Sequence, residues 1–275
     1  LLALTPGLHR SETSPVERLI VSAIEHASVL AGGRFHPDQV RIAPVDSSGV
    51  VDLAQLSGLL ADEPPTLVSV MLANNETGAI QPIVEIAELV HAWHGILHVD
   101  AVPAFGKIDI NFNELGADLL SISAHKIGGP KGVGALLVTD GLRGLEPALT
   151  GGGQEKGRRA GTENLPGIAG FGAAATIAAA NRERFAGHAA ALQRRLEAGL
   201  KRIHNATIVF SEGASRLPNT TLFTAPGLQA ETAVIAFDLA GIAVSSGSAC
   251  SSGKVQPSHV LQAMHVGSEL AQGGV

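Results

Sequence analysis

Short apolar runs separated by helix-like segments constrain this chain more than any other feature. Leu67-Val68-Ser69-Val70-Met71-Leu72, Ile96-Leu97-His98-Val99 and Ala135-Leu136-Leu137-Val138 are nearly continuous in apolar character, the pattern of strands buried on both faces of a parallel sheet. Val84 to Trp93, between the first two, repeats apolar residues at helical spacing, and Val16 to Ala27 has the same spacing. Strands alternating with helices predict an α/β domain up to about residue 145. Beyond it, helix-like sequence from Leu165 to Ile203 leads to strand candidates Thr207 to Phe210 and Thr220 to Phe223. Helical patterns at Glu231 to Leu239 and Pro257 to Met264 complete an α+β tail.

Composition narrows the function classes. The 275 residues suffice for one or two domains with a sizeable core. A formal net charge of −6, with no basic run and no aromatic platform, predicts no nucleic-acid partner. The longest alanine-rich stretch, Ile168 to Ala180, is too short and too interrupted by glycine to span a membrane, and no secretory signal is visible. A cytosolic chain without a membrane partner is the expectation, and a reducing compartment suits its single cysteine. His91 and His94 are one helical turn apart, but Gly95 ends that helix and His98 belongs to the next strand, so no metal site is expected.

Four features carry chemistry. Cys250, the only cysteine, lies in Ser245-Ser246-Gly247-Ser248-Ala249-Cys250-Ser251-Ser252-Gly253, and reads either as a presented nucleophile or as a tolerated loop cysteine. Lys126 follows the apolar stretch Asp118 to Ser123 and precedes a glycine-rich turn; it is either a lysine placed to form a Schiff base or a solvated loop lysine. Asp100 ends a strand 26 residues before Lys126, where an acid could keep a pyridine nitrogen protonated. Asn74-Asn75-Glu76-Thr77-Gly78 follows another strand, at the carboxyl end where open α/β sheets bind ligands. Taken singly, the last two are also ordinary loop or capping residues. Arg158 and Arg159, flanked by glycine and followed by Thr162, read as an anion site or as a solvated pair.

Six motifs in chain order resemble the cysteine desulfurases of the NifS/IscS kind, within the fold-type I, class V aminotransferase family of pyridoxal-phosphate enzymes. They are Ile24-Glu25-His26, Asn74 to Gly78, His98-Val99-Asp100-Ala101, Ser123-Ala124-His125-Lys126, Gly151 to Glu155 with Arg158 to Thr162, and Ser246 to Cys250. The resemblance implies that Lys126 binds pyridoxal 5'-phosphate as a Schiff base, that Asp100 pairs with the pyridinium, and that His26 stacks on the ring and helps to move protons. By the same resemblance Asn75 bonds the phenolic oxygen, Ser123 and His125 hold the phosphate together with Thr162 of a second subunit, and Cys250 accepts the sulfur. L-cysteine as substrate, a homodimer, and an outside sulfur-acceptor or iron-sulfur scaffold protein follow from it. So does a division into a large cofactor-binding domain, 1–182, and a small domain, 183–275, that carries the cysteine loop.

The sequence departs from that pattern in three places. It begins where the family's Gly-Thr-Glu-Ala-Asn type loop, a source of phosphate donors, would have ended. It stops before the segment holding the arginine that grips the substrate carboxylate, so truncation at both ends is expected. Pro103 stands where the family usually has glutamine, and proline has no side-chain donor and no backbone donor. Two alternatives therefore stay open: another class V lyase or aminotransferase, such as a selenocysteine lyase, or an incomplete fragment that only binds partners.

Overall fold

A computed structural model of the chain describes residues 2–11, 13–61, 65–247 and 258–275; Cys250 and the predicted helix start at Pro257 lie outside the described residues. The central element is a six-stranded sheet in the order β2-β1-β3-β4-β5-β6. Its strands are β1 (Arg18–Ser22), β2 (Val40–Ala43), β3 (Thr66–Met71), β4 (Ile96–Asp100), β5 (Leu119–Ser123) and β6 (Gly134–Val138). Between them lie α1 (Ala27–Leu30), α2 (Leu53–Ala61), α3 (Ile83–Ala92) and α4 (Phe112–Leu115). All pairings are parallel except β5 with β6. The protein is thus an α/β fold with a mainly parallel sheet, as expected.

Two apolar cores flank the sheet because alternate residues of each strand face opposite ways. Leu19, Leu67 and Ile96 are register partners and belong to one core. The neighbouring row, Ile20, Val68 and Leu97, belongs to the other. All six side chains are at most 1% exposed, and burying each contributes roughly 1.5–3 kcal/mol.

Two sequence expectations need correction. Val16 to Ala27 is not a helix: it holds β1, the turn of residues 23–26 and the start of α1. Leu19-Ile20-Val21 is a short run buried on both faces between β2 and β3, and periodicity cannot tell such a run from a helix segment. β6 is antiparallel and partly exposed rather than a buried parallel strand. Only residues 124–133 separate it from β5, too few for the crossover that a parallel return requires.

Past the sheet, α5 (Leu165–Ile203) runs unbroken for 39 residues through position 182. β7 (Ile208–Val209) and β8 (Phe223–Thr224) form a small antiparallel ribbon, extended by mutual backbone bonds of Phe223 and Val275. The predicted strand at 220–223 begins later because the Gln193 side chain of α5 takes the carbonyls of Leu217 and Thr220. α6 (Ala230–Leu239), α7 (His259–Ala263) and α8 (Ser268–Ala271) follow. Among the described residues no helix is long and apolar enough to cross a membrane.

His98 is fully buried, with Nδ1 bonded to the Ser69 hydroxyl and Nε2 to the Ser121 hydroxyl, both at 2.8 Å. Burial lowers its pKa from 6.5 to about 3, so the folded state keeps the ring neutral while the unfolded chain protonates it below about pH 6.5. Stability from this residue is therefore present above pH 6.5 and is lost as the pH falls toward 3. Relative to His98→Gln, the parent should lose about 1.3 kcal/mol between pH 7.5 and 5.5 in urea unfolding. A difference that stays constant over that range would contradict a neutral buried imidazole.

Candidate functional site

Four strands that are neighbours in the sheet, β1, β3, β4 and β5, run parallel. Whatever follows their carboxyl ends is therefore gathered along one edge, and the edge carries most of the residues singled out in the sequence. His26 follows β1, Asn75 follows β3, Asp100 is the last residue of β4, and Ser123, His125 and Lys126 close β5 and open the short 3-10 helix after it.

Each is held by a distinct local device. His26 caps α1, its Nδ1 accepting the Ser28 N–H at 3.2 Å and facing the Ser28 hydroxyl at 2.9 Å; the proton then resides on Nε2. In the loop after β3, Asn74 is the structural member: its Oδ1 accepts the N–H groups of Glu76 and Thr77, each at 2.9 Å, and its amide donates to the Ile24 carbonyl. Asn74, Glu76 and Thr77 are buried, and Asn75 alone among the loop's polar residues stands exposed.

Asp100 is 7% exposed. Burial pushes its carboxyl up, while the 2.9 Å bond from the Val102 N–H and the nearby charges of His26 and Lys126 pull it back. Ser123 Oγ lies 2.7 Å from His125 Nδ1, and both residues precede the exposed Lys126. Lys126 shares a cavity of about 370 Å³ with Phe105, Lys107, Ile177 and Phe185.

Sequence reasoning missed Lys107. Its Nζ donates to the Pro103 carbonyl, four residues earlier, and its pKa is lowered by burial and then by the charge of Lys126. The i, i+4 spacing within a tight turn was the available signal. Gly106 makes that turn possible: it has φ +76°, and a Cβ there would lie 2.8 Å from Ile127 and 3.1 Å from Ala178. The ring of Phe171 in α5 packs edge-on against Phe105 at 6.1 Å, fixing the turn from outside.

Glu25, the middle residue of the Ile24-Glu25-His26 motif, has a role that the sequence does not show. It is completely buried; Oε1 accepts the Ser22 hydroxyl at 2.5 Å and the Met71 N–H at 2.7 Å, and Oε2 has no partner among the described residues. Burial raises its pKa to about 8, the two bonds pulling down and the Asp100 charge pushing further up.

Other residues do not join this edge. Thr162 is exposed, in a loop where Arg159 Nη1 ties the carbonyls of Gly161 and Thr162, each at 3.1 Å; no hydrogen bond connects it to Ser123, His125 or Lys126 among the described residues. His91 lies at the amino edge, 3.0 Å from Asp118. Burial alone would raise the Asp118 carboxyl, but bonds from His91 and the Leu97 N–H and the Arg10 guanidinium at 2.5 Å carry it below the ordinary value. That cluster is internally paired, and His98 is committed to two serines.

Glu25 generates a prediction of opposite sign to His98. Its folded pKa lies above the unfolded value of 4.5, so its contribution is full below pH 4.5 and is lost as the pH rises to about 8. Relative to Glu25→Gln, the parent should lose about 2 kcal/mol of stability between pH 6 and 8, read from urea midpoints. A difference that stays constant over that interval would show that Glu25 is buried as the anion.

The family described as aminotransferase class-V matches residues 3–271. A cysteine desulfurase from Gluconacetobacter diazotrophicus is 42% identical over 262 residues, covering 94% of this chain and 65% of that protein. Cysteine desulfurase IscS 1 of Archaeoglobus fulgidus is 43% identical over 260 residues, covering 94% and 67%. The solved structure of a NifS-like protein from Rickettsia africae superimposes with a TM-score of 0.86 at 40% identity, covering 94% of this chain and 69% of that one. The chain thus spans about two thirds of the length of the curated relatives it matches. Sharing their fold-type I architecture and the family pattern over nearly its whole length, this chain belongs to the class-V aminotransferases.

Proposed function

We propose that the chain is the core of a cysteine desulfurase dependent on pyridoxal 5'-phosphate, which takes sulfur from L-cysteine, yields L-alanine and leaves a persulfide on Cys250. The observation that carries this reading is the line of His26, Asn75, Asp100 and Lys126 at the carboxyl ends of β1, β3, β4 and β5. Their chemistry suits the cofactor. A buried carboxyl whose proton affinity is raised by burial, Asp100, gains from a cationic neighbour such as a ring nitrogen. Lys126 offers an exposed amine, Asn75 an exposed amide, and Ser123 and His125 adjacent donors for a phosphate.

When bound, the cofactor supplies an electron sink for charge developing at the substrate's α-carbon. Lys126 Nζ would be its covalent anchor, and the Asp100 carboxylate would keep a proton on the ring nitrogen. Asn75 would donate to the phenolic oxygen, a task left to it because Pro103 has no donor. His26 would lie against the ring and move a proton at Nε2, and Thr162 of a second copy would join the phosphate contacts in a homodimer. At Cys250 the balance is simple: the substrate's C–S bond breaks, an S–S bond forms, and the thiol proton is returned to the carbon that becomes the methyl group of alanine.

An outside sulfur acceptor or iron-sulfur scaffold protein would then take the persulfide sulfur. The names of the relatives favour this reading over a selenocysteine lyase. A cytosolic location suits a chain with one functional thiol, and we retain 1–182 and 183–275 as its large and small domains.

Incubation with pyridoxal phosphate and L-cysteine should add one sulfur atom's mass to the Cys250 peptide. Cys250→Ser should keep the bound-cofactor spectrum while losing sulfide and persulfide. Alanine and sulfide formed by the serine variant at the parent's rate would make the thiol incidental. Asp100→Asn should keep its thermal midpoint yet lower turnover at least about tenfold, because an amide cannot balance a cationic ring nitrogen; unchanged turnover would remove Asp100 from the site.

A further inference from the structure

The turn that carries His26 and the loop that carries Asn75 are both gripped from a distant part of the chain. Ser258 donates its hydroxyl proton to Glu76 Oε2 at 2.5 Å, across 182 sequence positions, and the two residues are 2% and 8% exposed. One residue further on, His259 Nε2 meets the Glu25 carbonyl at 2.9 Å, across 234 positions. A carbonyl can only accept, so His259 carries its proton on Nε2. The same Ser258 oxygen accepts the Leu261 N–H at 3.2 Å and caps α7. Glu76 is fixed in turn by its own N–H on Asn74 Oδ1, and Asn74 bonds the Ile24 carbonyl. Both grips therefore close on one connected piece of backbone that holds His26 and Asn75.

The position of this grip in the sequence gives it a consequence. Ser258 follows Cys250 by eight residues, and eight peptide units reach at most about 26 to 29 Å. The chain between Cys250 and the grip can span no more than that.

We propose that Ser258, His259 and Glu76 are positioning residues, a two-point latch that anchors the start of α7, and with it the chain leading from Cys250, on the two cofactor-contacting turns. The role in sulfur transfer rests on the desulfurase reading; the latch itself does not. Neither grip depends on a bound cofactor, since both are made between protein atoms.

Glu76→Leu removes the acceptor but leaves Ser258 free to cap α7, whereas Glu76→Gln keeps an acceptor oxygen. In the cofactor-free chain, backbone hydrogen exchange of Glu76→Leu should rise about tenfold in peptides spanning residues 22–30 and 258–264 together, with Glu76→Gln close to the parent. Ser258→Ala tests the same link from the other side and should raise exchange at 72–78. A rise confined to the mutated residue's own segment would overturn the latch. With pyridoxal phosphate and L-cysteine, Glu76→Leu should retain the cofactor's visible band but load Cys250 with persulfide about tenfold more slowly, and Glu76→Gln should restore loading. Equal loading in Glu76→Leu and the parent would overturn the positioning role. A parent that forms no persulfide while the exchange coupling is present would sink the desulfurase reading and leave the latch standing.

Discussion

Two buried polar side chains, Glu25 and Asn74, hold the carboxyl ends of β1 and β3 as one piece. Glu25 reaches from the turn after β1 to the Met71 N–H at the end of β3, and Asn74 reaches back from the loop after β3 to the Ile24 carbonyl. A parallel sheet fixes its strands by ladder bonds, but those bonds stop where the strands stop, and the segments beyond need other partners. Here the partners are side chains, and they leave His26 and Asn75 as the outward members of two otherwise buried turns. His26 and Asn75 inherit their places from that knot.

Such a knot is costly. Glu25 is wholly buried with one oxygen unpartnered among the described residues, and Asp100 close by has its own carboxyl raised by burial. Two acids in one dry corner cannot both ionise cheaply, and a protonated Glu25 leaves the negative charge to Asp100. The amino edge shows the contrast: Asp118 is as buried, yet Arg10, His91 and the Leu97 N–H meet both of its oxygens. Among the described residues, the buried side-chain atoms without a hydrogen-bond partner are Glu25 Oε2 at this edge and the hydroxyls of Ser211 and Thr224 at the small ribbon.

Much of this was legible in the sequence because the informative residues are local to strand ends. Asp100, Asn75 and Lys126 each follow an apolar run, so recognising β3, β4 and β5 also places them on one edge. β1 was misread because Leu19-Ile20-Val21 has no periodicity that separates a central strand from a helix, and only its neighbours β2 and β3 decide the matter. Glu25 and Ser258 carried no such signal: their roles depend on contacts with Met71 and Glu76, made by folding rather than by spacing.

The central claim is that the carboxyl edge of β1, β3, β4 and β5 forms a cradle for pyridoxal phosphate with Lys126 as its covalent anchor. Borohydride reduction after incubation with the cofactor, followed by peptide mapping, tests it most directly. A pyridoxyl group on Lys126, with labelling lost in Lys126→Ala, is the result this account predicts. A label that settles instead on Lys107, or spreads over surface lysines and survives Lys126→Ala, would contradict it.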